Sequence, residues 1–353
     1  MQILSFANSG IQVGDRAPDF ELIDATGEPW RLYAMATGRP ILMFLYPDSS
    51  HPVAPAALDA LAEAVAAPVD ILAISREAPE TDTQELPFRR FRDRQDQVFT
   101  AYGFDVLTGA PGGDGAVLVL LGPDLRVTGV WRSGEVAAAL AAAITQPAVT
   151  PLVNPPGVAP VLMIPRVFDR AFCRHLIDAF ETRGNEESGI FLTKGGRSTK
   201  TLDPAIKKRR DHHITTEPLL GQVTALMQRR VLPEIYRVFC FQVTNAEEFK
   251  IVRYDAETGG YFRPHRDNLN PQNAHRRFAM TLNLNTEDYE GGELRFPEYG
   301  PHLYRPPSGG AVVFSCSLLH EATDVTRGRR YVLLSFFHGA AEERQRRAAR
   351  RQA

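Results

Sequence analysis

A proline-rich stretch near the middle of the chain most strongly limits what this sequence can fold into. Residues 150–160 read TPLVNPPGVAP and place four prolines among eleven residues. Proline removes a backbone donor and opposes both continuous helix and continuous sheet pairing. Because a chain of 353 residues is longer than one hydrophobic core usually spans, the break predicts two domains, over 1–148 and 161–340, with a linker over 149–160 and a basic tail over 341–353.

The apolar pattern differs on the two sides of this break. Upstream, buried-strand runs alternate with a helical stretch, in the segments ILMFLY (41–46), PAALDALAEAVAA (55–67), DILAIS (70–75) and AVLVLL (116–121). Such alternation is typical of an α/β sheet. Downstream, amphipathic helices over 170–183 and 218–239 precede short strand-like segments separated by glycine, proline and asparagine. That order predicts an α+β domain with a helix-supported sandwich or barrel.

The composition excludes several classes of partner. With 44% hydrophobic residues, 23% charged residues and a formal net charge of -2, the chain lacks the basic excess that binding nucleic acid requires. No apolar run approaches the roughly 18 residues of a membrane span, and the opening MQILSFANSG lacks the pattern of a secretory signal. We therefore expect a cytoplasmic protein that binds neither nucleic acid nor membrane. Its three cysteines lack CxxC spacing, so we expect no disulfide or zinc site but three small buried hydrophobes.

Three residues in the second half have the spacing of a metal site. His265 and Asp267 are two positions apart, so on a strand their side chains leave the same face. His320 follows the apolar run AVVFSCSLL (311–319), which a distant inner strand can return to the same place. Two histidines and one carboxylate suit iron(II) that keeps further coordination positions for reactants.

An arginine strengthens this interpretation. Arg330 comes ten positions after His320 and opens the apolar strand RYVLLSFF. A guanidinium is a rigid fork that binds a carboxylate through two hydrogen bonds. The neighbouring Arg329 points to the opposite face if the segment is extended.

With these motifs, residues 160–340 resemble the prolyl 4-hydroxylase-like branch of the 2-oxoglutarate and iron(II) oxygenase superfamily. Further matching elements are Tyr254, the glycines before HxD, the strand MTLNLN (280–285), the GGEL turn within 290–296, and Gly328. The resemblance implies a double-stranded β-helix, or jelly roll, with supporting helices. It also implies Fe(II), 2-oxoglutarate as co-substrate, and O2.

The resemblance assigns site residues. His265, Asp267 and His320 would be the metal ligands and the catalytic centre, and Arg330, Tyr254 and Asn283 would bind 2-oxoglutarate. Asn283 stands where several members have tyrosine, which implies a differently shaped pocket. The superfamily's halogenases replace the acidic ligand with a small residue, so Asp267 indicates hydroxylation.

A basic segment precedes the oxygenase core. Residues 188–214 read SGIFLTKGGRSTKTLDPAIKKRRDHHI, and related proteins often carry a mobile flap over the substrate channel here. One interpretation is a solvated loop. The other is a flap that selects an acidic substrate through basic residues drawn from Arg197, Lys207, Arg209, Arg210 and His212. His213 and His275 are not needed as metal ligands, and we expect His275 to be solvated.

The first domain carries a different resemblance. The segments 13–32, 45–55 and 117–135 together resemble the peroxiredoxin and thioredoxin-like family over most of residues 11–145. Tyr46 and Pro47 match the family's strand end, but Ala54 occupies the position of the reactive cysteine. Alanine supplies no thiolate, and His51 is weak evidence for a substitute. This domain is therefore predicted to be thioredoxin-like and inactive, kept for packing, homodimer formation or partner docking.

The leading hypothesis is a hydroxylase that acts on a peptidyl residue, a free amino acid or another small metabolite and releases succinate and CO2. The alternative is a sensor or scaffold that binds iron and 2-oxoglutarate and docks a partner through the thioredoxin-like domain. A thiol peroxidase is disfavoured by Ala54.

Overall fold

The computed structural model describes residues 9–24, 27–36, 39–47, 52, 54–64, 69–76, 86–109, 115–145, 157–194 and 197–352. The chain forms two compact units, Met1–Val153 and Asn154–Ala353, and each has its own hydrophobic clusters. His51 and residues 150–156 of the proline-rich stretch lie outside the described residues. None of the described helices is long and apolar enough to cross a membrane.

The N-terminal unit is built on one mixed sheet. The strands of the unit are β1 (Glu21–Ile23), β2 (Pro29–Arg31), β3 (Ile41–Tyr46), β4 (Asp70–Ser75), β5 (Arg89–Arg92), β6 (Val117–Leu121) and β7 (Val127–Arg132). Strands β1 and β2 form a separate two-stranded sheet. Its helices are α1 (Leu32–Met35), α2 (Ala54–Glu63), α3 (Gln97–Tyr102), α4 (Phe104–Thr108) and α5 (Val136–Ile144). The sheet order is β5-β4-β3-β6-β7, with β3 parallel to β4 and antiparallel to β6. This is the predicted α/β arrangement.

The central strand explains why its sequence is apolar throughout. Alternate residues of a strand face opposite sides of the sheet, and both faces of β3 are covered. Met43 packs into one cluster and Phe44 into the other. After this strand, α2 begins at Ala54, whose side chain is completely buried.

The C-terminal unit contains two main sheets. Its strands are β8 (Leu162–Ile164), β9 (Glu186–Glu187), β10 (Ile190–Lys194), β11 (Arg197–Thr201), β12 (Lys207–Lys208), β13 (Arg210–His213), β14 (Asn245–Ala246), β15 (Lys250–Asp255), β16 (Tyr261–His265), β17 (Phe278–Asn283), β18 (Glu290–Gly291), β19 (Leu294–Arg295), β20 (Leu303–Tyr304), β21 (Ala311–Ser315), β22 (His320–Ala322), β23 (Val325–Arg327) and β24 (Arg329–His338). The larger sheet has the order β8-β21-β17-β24-β15-β13-β9, with β14 also paired to β24, and the smaller has the order β12-β16-β22-β19-β20.

Helices cover the outer face of the larger sheet. They are α6 (Arg170–Thr182), α7 (Leu219–Arg230) and α8 (Leu232–Phe239), and their apolar residues join the largest cluster of the unit. The single helix expected over 218–239 is interrupted at Val231, where Pro233 in the first turn of α8 has no N–H for a continuing helix. The cysteine prediction is wrong for Cys240, which is exposed at the end of α8.

The basic C-terminal segment is helical. Helix α9 spans Ala340–Gln352, and its first turn is anchored by acidic side chains. Glu342 pairs with Arg277 at 2.8 Å, and Glu343 pairs with His338 at 3.0 Å. The start of this segment is therefore held by polar contacts to Arg277 and His338.

Candidate active site

Two histidines face each other across adjacent strands of the smaller sheet. His265 ends β16, His320 begins β22, and the pairing register places them directly opposite. Their ring centroids are 4.3 Å apart. Asp267 is held just beyond the strand because its backbone N–H donates to the carbonyl of Cys316 at 3.0 Å. One ligand atom from each of the three side chains lies within 4.8 Å of the others.

Backbone carbonyls orient both imidazoles. Nδ1 of His265 lies 2.8 Å from the carbonyl of Arg263, and Nδ1 of His320 lies 3.0 Å from that of Leu318. A carbonyl only accepts, so each Nδ1 carries the proton and each Nε2 presents its lone pair. The two Nε2 atoms are 3.4 and 3.3 Å from the carboxylate oxygens of Asp267. This donor set fits iron(II).

The charge states suit metal binding. Burial lowers the pKa of His320 to about 4, with Asp267 acting against that shift. Burial alone would raise the pKa of Asp267, but the neighbouring His320 and His265 outweigh it and lower the pKa to about 2. Near neutral pH the His320 ring is therefore neutral and the carboxylate ionised, as metal ligands must be.

Arg330 is a buried cation that pairs with no carboxylate among the described residues. Its side chain is 3% exposed, and its Nε makes no hydrogen bond. Its polar contact with Asn283 is long, at 3.5 Å from Nη2 to Oδ1, and Tyr254 packs its ring 5.1 Å from the guanidinium carbon. Among the described residues no carboxylate pairs with it. A buried, uncompensated guanidinium fits an anionic ligand.

The expected orientation of the two arginines is confirmed. Arg329 is half exposed and donates to Asp255 at 2.9 Å, whereas Arg330 points inward opposite Tyr254. The GGEL turn makes room for the inward side chain. Gly292 has φ +69, and a Cβ there would lie 2.8 Å from Cδ of Arg330. Only glycine allows both that backbone conformation and that close approach.

These groups share a cavity of about 460 Å³ between the two sheets. It is lined by the three candidate ligands, by Arg330 and Tyr254, and by Thr281. Asn283 is not in the cavity wall. Its side chain donates to the carbonyl of Pro306 at 3.0 Å, so it acts on the cavity through Arg330.

Successive side chains of the basic segment around β13 point alternately toward the cavity and away from it. Arg209 lines the cavity, where it pairs with Asp211 at 3.0 Å and donates to the hydroxyl of Tyr254 at 3.2 Å. Arg210 and His212 point to the other face, bonding Asn185 and the carbonyl of Gly184. The segment was predicted to be a solvated loop or a flap, without the strand β13 (Arg210–His213) whose alternation selects the odd-numbered positions. The side chain of Arg197 lies outside the described residues.

Other lining residues were missed or misjudged. Lys207, which was named with the flap, lines the cavity beside Arg209. His213, Lys250 and Thr281 also line it and were not predicted. The expectation that His275 is solvated is wrong. It is 5% exposed, and its Nε2 lies 2.9 Å from the carboxylate of Glu247. The same carboxylate also pairs with Arg276.

Comparisons with known proteins match each half of the chain to a family. Residues 249–338 match the 2OG-Fe(II) oxygenase superfamily, and residues 13–112 match the AhpC/TSA family. A PKHD-type hydroxylase of Burkholderia lata is 31% identical over 198 residues, covering 50% of this chain and 76% of the relative. One of Caulobacter vibrioides is 29% identical over 192 residues, with the same coverage of both proteins.

Two further matches are a longer relative and a solved structure. A procollagen lysine hydroxylase and glycosyltransferase of Caenorhabditis elegans is 28% identical over 176 residues, covering 47% of this chain and 22% of that protein. A solved prolyl-4-hydroxylase of Pseudomonas putida is 19% identical, covering 51% of this chain and 92% of the other, with a TM-score of 0.39. That score is too low to carry an argument.

Fold and site together define an iron-dependent oxygenase joined to a thioredoxin-like unit. Through its C-terminal half, this chain belongs to the PKHD-type hydroxylases of the 2OG-Fe(II) oxygenase superfamily. It is a hydroxylase that uses Fe(II), 2-oxoglutarate and O2. Its N-terminal half is similar to the AhpC/TSA family.

Proposed function

We propose that His265, Asp267 and His320 hold the iron(II) and that Arg330 binds the distal carboxylate of 2-oxoglutarate. The observation that carries this assignment is the convergence of three ligand atoms in the same cavity as a buried arginine without a carboxylate partner among the described residues. The two sheets would then form the double-stranded β-helix of the superfamily.

The residues around Arg330 would prepare it for the co-substrate. The Tyr254 hydroxyl accepts a hydrogen bond from Arg209, so its own proton can be donated to the distal carboxylate of 2-oxoglutarate. The Asn283 side-chain oxygen contacts Nη2 of the Arg330 guanidinium at 3.5 Å. Placing these groups before binding removes much of the cost of ordering them on binding.

Bound iron, 2-oxoglutarate and O2 supply the oxidising chemistry: 2-oxoglutarate is split to succinate and CO2, one oxygen atom enters succinate and the other enters a substrate C–H bond. The protein holds the ligands, orients the co-substrate and shields the site from water. His265 and His320 would contribute their Nε2 lone pairs, and the Asp267 carboxylate would offset part of the metal's charge. The substrate is a peptidyl residue, a free amino acid or another small metabolite.

The proposed division of labour has a catalytic C-terminal domain over 161–340, a linker over 149–160 and a thioredoxin-like domain over 1–148. The last would serve by homodimer formation or by delivering substrate. Support comes from Ala54, which starts α2 where the related family places its reactive cysteine.

A turnover experiment tests the function. The full-length protein, iron(II) and 2-oxoglutarate are incubated in air with pools of peptides and metabolites, and succinate is measured. Products are then identified by a mass gain of one oxygen atom. Succinate release that a pool stimulates, together with an oxygenated product, is the expected result. Tight binding of 2-oxoglutarate without stimulated turnover across all pools would instead favour the sensor.

A further inference from the structure

The cavity contains more positive charge than 2-oxoglutarate requires. Among its lining cations, Arg209 pairs with Asp211 at 3.0 Å, Arg276 with Glu247 at 2.7 Å, and Arg266 with Glu298 at 2.6 Å. Lys250 also lines the cavity. Its ammonium makes no hydrogen bond or ion pair within the part of the chain that the structure describes.

A second unsatisfied group lies in the same row of the larger sheet. Thr281 is 3% exposed and lines the cavity, and its Oγ1 has no hydrogen-bond partner among the described residues. In the strand register, Thr281 is opposite Leu334 and Leu334 is opposite Lys250. The hydroxyl and the ammonium therefore stand on either side of one leucine, on the inner face of the sheet.

This row is separate from the proposed 2-oxoglutarate anchor. Arg330 is opposite Tyr254, and Tyr254 is four residues from Lys250 on β15. At the rise of an extended strand, the two rows are about 13 Å apart. Arg330 and Lys250 thus mark opposite ends of the same inner face.

We propose that Lys250 and Thr281 bind a carboxylate of the primary substrate, so that the enzyme hydroxylates compounds or residues that carry an acid group. The inference rests on the proposed function, because it assumes that Arg330 is occupied by 2-oxoglutarate. A half-buried ammonium that forms no ion pair among the described residues is unfavourable, and burial lowers the pKa of Lys250 although Asp211 and Glu247 act to raise it. A carboxylate would supply the missing charge, and the Thr281 hydroxyl would donate the second hydrogen bond.

Binding without oxygen tests the proposal. Full-length protein loaded with iron(II) and 2-oxoglutarate is titrated in a calorimeter with hexapeptide pools that contain Asp or Glu at one position, and with matched pools that contain Asn or Gln. Free aspartate and glutamate are compared in parallel with asparagine and glutamine, which separates peptide from free-acid recognition. We expect the acidic member of at least one comparison to bind about tenfold to a hundredfold more tightly, as for a hydrogen-bonded charge.

Variants test whether Lys250 and Thr281 cause the preference for acidic ligands. Lys250→Met should remove most of the preference for the acidic ligand, Lys250→Arg should keep much of it, and Thr281→Val should weaken it less. Lys208→Met is the matched control, because Lys208 is exposed and is not in the cavity wall. No preference for acids in the unmodified protein, or a preference that Lys250→Met leaves intact, overturns the proposal.

The same samples distinguish this inference from the proposed function. Affinity for 2-oxoglutarate and iron content are measured first for every variant. If the unmodified protein fails to bind either, the proposed function fails. If both bind normally while Lys250→Met leaves acid binding unchanged, the carboxylate site alone is refuted.

Discussion

The two units of this chain differ in the side chains found at or beyond the end of one strand in each. In the N-terminal unit, β3 leads to α2, which begins with the methyl group of Ala54. In the C-terminal unit, β16 ends in His265, and Asp267 and His320 complete a group of side chains that could hold a metal ion. Apolar positions preserve a fold, whereas chemistry depends on a few polar positions that can be lost separately. Substitutions in the C-terminal unit and activity measurements on the N-terminal unit test how far this contrast extends.

The largest effect is expected for the metal ligands. His265→Ala or Asp267→Ala should lower iron affinity and turnover by far more than the roughly 10–100-fold typical of residues that only support a ligand. Metal analysis and succinate release measure both quantities. His175→Ala is the control, since this exposed histidine of α6 lies outside the site. Wild-type iron content and turnover in both ligand variants would show that the triad is assigned wrongly.

The next effect concerns the co-substrate. Arg330→Ala should weaken 2-oxoglutarate binding by about 2–5 kcal/mol, as for truncating a buried charge pair, with iron binding retained. Arg329→Ala is the matched control, because its guanidinium pairs outward with Asp255. An unchanged affinity in the first variant and a loss in the second would move the anchor to Arg329.

A smaller effect concerns stability and pH in the C-terminal unit. Burial acts to raise the pKa of Glu247, but the hydrogen bonds and charge of Arg276 and the charge of His275 lower it overall. A carboxyl group with a lowered pKa stabilises the fold above its unfolded pKa, and this contribution is lost as the pH falls through the folded value. Thermal unfolding should therefore shift to lower temperature below about pH 4.5, near the ordinary pKa of glutamate.

A variant connects that shift to Glu247. Glu247→Gln should cost about 1.5–3 kcal/mol at neutral pH, as for a hydrogen bond to a charged group, and should reduce the acid sensitivity. Glu248→Gln serves as control because Glu248 is largely exposed. Equal acid sensitivity in the unmodified protein and in Glu247→Gln would exclude this cluster as its source.

Sequence reasoning succeeded where the signal lies within one or two strands. The inward direction of Arg330 follows from strand alternation. The expectation that His265 and Asp267 share one strand is only half right, because β16 ends at His265 and Asp267 lies just beyond it. The apolar runs of β3 and β4 were also predicted with their observed bounds. Each of these features is encoded in neighbouring residues.

The residues that were missed depend on which strands become neighbours. Thr281, Lys250 and His213 lie in one row because the larger sheet has the strand order β17-β24-β15-β13. A single sequence does not reveal that order. The burial of His275 likewise depends on Glu247 from a separate segment. No strand was predicted at β13, so Arg210 and His212, which point away from the cavity, were named together with Arg209, which lines it.

The smallest expected effect is none, and it concerns the N-terminal unit. Residues 1–153 contain no cysteine, and a peroxidatic reaction needs a thiolate. The full-length protein should therefore consume no hydrogen peroxide with a thiol reductant, and steady consumption would refute the inactive assignment.

A protein beginning at Gly157 tests what the N-terminal unit contributes to the C-terminal unit. It should bind iron and 2-oxoglutarate like the full chain but lose oligomer formation or turnover of the native substrate. If both are unchanged, assembly and delivery are excluded as the role of the thioredoxin-like unit.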